Sequence, residues 1–392
     1  MSVAALPGLA SPLIFLQTVV AAIPDPDPLP LPAPTGVFVF LLVLTFLLHL
    51  LAMNFVLGGS LMMVFAYARG RKAAEEIARH HRRLIEILAR AFPVTIAFTI
   101  TLGVAPLLFV QVLYGQLFFS SSILMAWPWL AVVGLLLVGY YAAYWHAYRQ
   151  VALGQAAVWV ALGVAAIFLV IAFLFVNNFS LLQNPEVWRP LYLSDRRGVH
   201  LYAIWDPGVF PRYLHFWFAA LAITGLVVAA IGVRQRRREP EFARWAVAHG
   251  GRWFIGATVL QMASGLWFLF GQPARVRDAL LGGNPRDALL LAVAVGCAVV
   301  ALVVLTPPSR ISTGRLAAGS AAIAVTVVLM VLLRQRVRTL WLEPHFRYEQ
   351  LPVASQWGAI ALFLVLFVVG ISLVGWMLWQ FFRHPGKASA KT

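Results

Sequence analysis

The sequence predicts an all-α, polytopic membrane helix bundle of about nine transmembrane helices. Three observations carry that prediction. Hydrophobic residues make up 61% of the chain and charged residues only 11%, with a mean hydropathy of +0.84, well outside the composition of soluble domains. The apolar residues fall in separate runs, each long enough to cross a hydrocarbon core about 30 Å thick. The basic residues fall in alternate loops between those runs, nineteen Lys and Arg in one set against eleven in the other. A formal charge of +16 in a soluble protein would suggest a nucleic-acid partner; here its distribution is that of membrane topology, and no nucleic acid is expected.

In chain order, residues 1–35 form a Pro-rich N-terminal segment. Within it, Leu13 to Ile23 is apolar but too short to span, lacks a basic n-region, and runs into Pro24-Asp25-Pro26-Asp27-Pro28, which cannot continue a helix. It reads as an interfacial or re-entrant segment, with a signal sequence as the alternative. The transmembrane domain, 36–382, carries spans near 36–67, 92–119, 122–147, 155–180, 211–233, 252–271, 287–306, 316–334 and 356–382, and 383–392 is a basic tail. The basic-rich connections 68–91, 148–154, 234–252 and 307–315 and the tail are expected inside. The N-terminus is then outside, the C-terminus inside, and the chain integral to a bacterial inner membrane.

Segment 71–90 places Ile77, Leu84, Ile87 and Leu88 at helical spacing among charges, which predicts an amphipathic helix on anionic lipid with His80 and His81 on its solvated face. His249 and His384 sit in basic inner segments. His146, beside Tyr144 and Trp145, reads as part of an interfacial aromatic group. His200 and His345 lie in outer, aromatic-flanked loops. The lone Cys297, inside an apolar run, excludes a disulfide framework and a Cys-based metal or iron–sulfur site within this chain.

Two histidines remain at membrane depth. His49 lies near the middle of Gly36 to Ala68, a stretch without Asp, Glu, Lys or Arg that also holds Asn54 and Gly58-Gly59-Ser60. An ionisable group at that depth costs roughly 2 kcal/mol or more without a partner, which makes it a functional candidate. His215 lies about one turn into the fifth span. Imidazole ligates haem iron from a helix, and it also simply hydrogen-bonds a neighbouring helix; both readings stay open on the residue alone.

Several stretches resemble subunit I of the cytochrome bd quinol oxidase superfamily. They are Leu48-His49-Leu50 with Gly58-Gly59; Thr101 to Pro106 followed by Phe109, Gly115-Gln116 and Phe118-Phe119-Ser120; Asn177-Asn178 with Gln183-Asn184-Pro185; and His215 with Gly225 and the exit Arg234 to Arg238. The similarity covers roughly 36–272. It implies nine helices, haems near the outer face, and His49 and His215 as iron ligands. The departures are as informative. Trp127 to Tyr144 has none of the two Glu residues of that family's third helix, the outer quinol loop is cut to Gly271 to Asp287, the seventh span has no Met, and 356–382 has no Glu. Met125 and Met262 are candidates for a substitute sixth ligand, although unbranched Met equally fills gaps in cores.

The resemblance therefore implies haem b as cofactor, with quinone as a further ligand, in a redox subunit of a quinol-linked complex, and assigns no catalytic residue. Electrons would pass between the quinone pool and a periplasmic c-type cytochrome or another redox subunit, docking on Trp188 to Arg212 and Trp341 to Arg347. The alternatives are a non-haem transporter or scaffold and a true quinol:oxygen oxidoreductase. Proton-coupled transport and oxygen reduction both need intramembrane acids that the span centres lack.

Overall fold

The structure, a computed structural model, describes residues 23–194, 197–201 and 208–383. Among these are eleven α-helices: α1 Thr35–Gly70, α2 Glu75–Leu124, α3 Ala126–Leu153, α4 Ala157–Gln183, α5 Trp188–Leu193, α6 Val209–Gln235, α7 Pro240–Phe270, α8 Ala274–Asp278, α9 Pro285–Leu305, α10 Thr313–Leu342 and α11 Trp357–Arg383. Nine of them are long and apolar enough to cross a membrane, as the hydropathy pattern predicts, and the chain is an integral membrane protein. The expected segment 13–23 lies almost wholly outside the described residues, as does the tail with His384.

Two expectations change. Segment 71–90 is not a separate surface helix. It opens α2, a helical stretch of 50 residues that contains Pro93 and Pro106, each without an N–H for the helix ladder, and that kinks at Tyr114, whose backbone is non-helical. At 1.5 Å per residue its helical path is about 75 Å, more than twice a membrane core, so its first turns project beyond the apolar region. His81 is consequently buried, edge-on to Trp245 and His249, instead of on a solvated face. The second change is at α10. The apolar pattern was expected to stop at 334, but the helix continues to Leu342, which puts Arg334, Arg336 and Arg338 on it rather than in a loop.

Small residues set how closely the helices approach. A Cβ on Gly58 of α1 would overlap the Ala220 carbonyl of α6, and Gly225 of α6 and Gly250 of α7 each face the other's backbone directly. Such contacts replace the hydrophobic effect as the packing drive where the solvent is lipid. The main core gathers Met62, Met63, Leu84, Leu88, Phe92 and Leu117 from α1 and α2, with α4 and α6 packed around them. A second core joins α6 and α7 to α9 and α10 through Leu221, Phe254, Leu305 and Ile323.

The ends are tied by polar contacts. Arg83 of α2 grips Glu239 with a fork, Nη2 to Oε1 at 2.6 Å and Nε to Oε2 at 3.0 Å. Those donated hydrogen bonds hold the Glu239 carboxyl below the usual carboxylate range. At the other end, Leu31 pairs with the segment before α11: its N–H donates to Pro352 O at 2.7 Å and its carbonyl accepts from Ala354 at 2.9 Å. The segments preceding α1 and α11 therefore lie at one end, as an even number of crossings between them requires. No described residue of α11 is buried.

Candidate functional site

His49 and His215 are held by the same device. His49 Nδ1 lies 2.9 Å from the Thr99 carbonyl of α2, and four residues on, Gly103 faces the ring. His215 Nδ1 lies 3.0 Å from the Gln261 carbonyl of α7, and four residues on, Gly265 faces that ring. In a helix the carbonyl of residue i and residue i+4 sit one above the other. A glycine at i+4 thus opens the gap through which an imidazole from the next helix reaches the carbonyl. A Cβ at Gly103 would stand 2.8 Å from His49 Cε1 and 2.9 Å from Nδ1; at Gly265 the distances to His215 are 3.1 and 3.3 Å.

The hydrogen bond fixes the chemistry of each ring. A carbonyl only accepts, so Nδ1 carries the proton and Nε2 keeps its lone pair. Neither Nε2 has a hydrogen-bond partner among the described residues. A neutral imidazole with Nδ1–H on a carbonyl is the arrangement that orients a metal-ligating histidine and raises its basicity. Ser264 adds a further contact 3.4 Å from His215 Nδ1 while donating to Gln261 O at 2.9 Å.

The other histidines are used differently. His146 Nε2 meets the Tyr67 hydroxyl at 2.9 Å, and His249 Nε2 accepts from Trp253 at 3.0 Å, so both Nε2 atoms are engaged. His345 Nε2 faces Glu186 at 3.4 Å, and His200 Nε2 faces Ser194 Oγ at 3.4 Å. Among the described residues no three His, Cys, Asp or Glu side chains converge on a metal position. A metal centre here would rest on single imidazoles from separate helices.

Sequence reasoning missed Arg334 and Arg338. The Arg334 guanidinium stacks on the Phe46 ring at 4.0 Å, and Phe46 in turn contacts His49, with ring centroids 6.4 Å apart. One turn along α10, Arg338 is fully buried between Tyr114, 5.3 Å from its centroid, and Phe179, at 5.6 Å. Arg338 donates to Gln335 Oε1 at 3.2 Å, Gln335 donates to the Tyr114 hydroxyl at 2.8 Å, and Nε and Nη2 of Arg338 have no acceptor. Arg336, on another face, has Asp287 at 2.8 Å. Arg334 and Arg338 have no carboxylate partner among the described residues. Two arginines held inside the bundle without a carboxylate are costly to desolvate, and an anion would neutralise their paired charge. The i, i+4 spacing of these arginines, with Leu333 before, Val337 between and Leu340 after them, was the signal that could have found them.

Met125 is fully buried at the α2–α3 junction, and Met262 follows Gln261 on α7. Because the two ring nitrogens point to opposite ends of the imidazole, His215 Nε2 is turned away from α7, the helix that carries Met262. The Gln183-Asn184-Pro185 corner closes α4, where Gln183 Oε1 accepts from Arg212 at 2.9 Å, one turn before His215. Within the outer segments expected to dock a partner, Trp188 is buried and donates to Leu181 O at 2.9 Å, and Trp341 donates to Gln272 at 2.8 Å; residues 195–196 and 202–207 lie outside the described residues.

No protein-family model matches the sequence, and no curated protein matches it. Among solved structures, the bd oxidase of Geobacillus thermodenitrificans matches with a TM-score of 0.70 over 91% of this chain and 99% of that one. The chain has a bd oxidase fold. Identity to that structure is 16%, so the likeness is one of architecture, a divergent version of the bd-type helix arrangement.

Proposed function

We propose that this chain is a haem b-binding membrane subunit that passes electrons between the quinone pool and a periplasmic c-type cytochrome. The observation that carries the reading is the repeated imidazole–carbonyl–glycine device, set in one case beside two uncompensated arginines within a bd oxidase fold. Haem b, when bound, supplies reversible one-electron exchange at its iron. His49 and His215 would hold the iron through Nε2, and Thr99 and Gln261 hold each ring in the tautomer that leaves that nitrogen's lone pair available. Arg334 and Arg338 fit the two carboxylates of a porphyrin near His49: they provide the positive charge, and carboxylate oxygens provide the acceptors that Arg338 lacks. Met125 is the proposed candidate for a further ligand, and Met262, on the helix that His215 Nε2 faces away from, is a candidate only for an iron other than the one His215 would hold.

Trp188 to Arg212 and Trp341 to Arg347 form the partner-docking side, in a bacterial inner membrane with the N-terminus outside. Quinone enters from lipid. The missing third-span acids favour electron transfer over oxygen reduction, because proton delivery to a buried centre uses carboxylate or His relays. In stopped-flow measurements the reduced subunit should be oxidised quickly by a c-type cytochrome and slowly by oxygen. Rapid quinol-dependent oxygen consumption by the isolated subunit would return the chain to the oxidases.

A further inference from the structure

Eighteen residues along α1 from His49, about 27 Å by helical rise, the bundle contains a concave feature away from either deep histidine. It is a cavity of about 260 Å³ bounded by the C-terminal turn of α1, the first turns of α2 and the α3–α4 turn. Its floor is apolar and buried, with Ala66, Ala78 and Ile85, and one wall is the ring of His81, which is 5% exposed and whose Nδ1 has no partner. Its rim is exposed and polar, with Arg71, Arg82 and Gln155. Tyr67 stands at the wall with its hydroxyl fixed by His146 and Gln150, each at 2.9 Å. Arg82 is steadied by Glu75, itself mostly exposed, whereas Arg71 has no ion-pair partner among the described residues.

The charge, shape and position of this cavity agree on one class of ligand. The volume is several times the roughly 30 Å³ share of a water molecule, so the cavity admits a polyatomic group. Guanidinium forks match the oxygens of a phosphate, and the surrounding Arg69, Lys72 and Arg79 add to a positive field at this edge. The cavity also lies where α2 leaves the apolar region, the depth at which phosphates of a bilayer sit. An apolar floor beneath a basic rim suits an amphiphile and would be wasted on a free ion. We propose that this cavity binds the headgroup of an anionic phospholipid, with Arg71 and Arg82 on the phosphate and the Tyr67–His81 wall against the glycerol and ester region.

The test is native mass spectrometry of the purified full chain, released from nanodiscs of phosphatidylcholine with a minor fraction of phosphatidylglycerol. One phosphatidylglycerol should be retained per chain. In R71Q/R82Q the retained fraction should correspond to an affinity lower by about thirtyfold, the factor that two basic contacts supply at a membrane surface. R244Q/R252Q, which removes two basic residues of α7 that do not line the cavity, should retain it. Val158→Phe, filling the cavity from the α4 side without altering charge, should also lose it, and this second variant guards against misfolding of the first. Equal retention by parent, R71Q/R82Q and Val158→Phe would overturn the proposal. So would displacement of the lipid by millimolar inorganic phosphate, which would identify a soluble phosphate as the ligand.

Discussion

Replacing Gly103 by Ala isolates the device that orients His49 without removing the ligand itself. The new Cβ would stand 2.8 Å from Cε1 and 2.9 Å from Nδ1, about 0.6 Å inside the 3.4 Å at which ordinary contact begins. The obstacle is a methyl on a rigid helix and the neighbour is a short side chain, so the imidazole must move. A shift of that size lengthens the 2.9 Å bond to Thr99 O by up to the same amount, to as much as about 3.5 Å, the limit of a hydrogen bond. The loss of one such bond costs about 0.5–1.5 kcal/mol, and loss of the partner behind a ligating histidine costs about 10–100-fold in metal affinity. At Gly265 the overlap is only about 0.3 Å, small enough for His215 to absorb. Gly103→Ala should therefore lower the haem-to-protein ratio of purified protein markedly, and Gly265→Ala only slightly, as measured by pyridine haemochrome against total protein. If Gly103→Ala kept a full complement and an unchanged spectrum while His49→Ala did not, the proposed orientation of His49 would be wrong.

Other outcomes follow from the same structure. His49→Ala and His215→Ala should each lower the haem ratio, whereas His80→Ala, His81→Ala and His384→Ala should leave the complement that remains after purification unchanged; five variants with full haem would reject both ligands. Arg338→Met removes a buried cation whose Nε and Nη2 lack acceptors, so it should raise the thermal midpoint of haem-free protein by an amount reflecting about 1–4 kcal/mol. The same substitution should weaken haem retention, and an unchanged haem ratio would separate Arg338 from any carboxylate. A reporter fused after Thr392 should be active only in the cytoplasm, and activity confined to the outside would reverse the topology.

The spans were legible because lipid demands long uninterrupted apolar runs, and nine of them stand in the sequence as in the structure. His49 and His215 were legible for a related reason, since an ionisable residue in such a run is conspicuous. What orients them was not, because the partners are backbone carbonyls of Thr99 and Gln261, which no side-chain pattern marks; Gly103 and Gly265 hint at a close approach without saying to what. Arg334 and Arg338 were hidden by composition. Three arginines in five residues read as the end of a span, and only helical phase separates the outward Arg336, paired with Asp287, from the two that turn inward. His81 was misplaced for the converse reason: its neighbours are charged, but the overhanging first turns of α2 pack against Trp245 and His249 of α7.

The most direct test of the account is a dithionite-reduced minus oxidised difference spectrum of the purified chain, quantified by pyridine haemochrome. A b-type spectrum with at least one haem per chain, diminished in His49→Ala and in His215→Ala, is the predicted result. A chain that purifies folded from haem-replete cells without haem, and takes up none when haem is added, would contradict it.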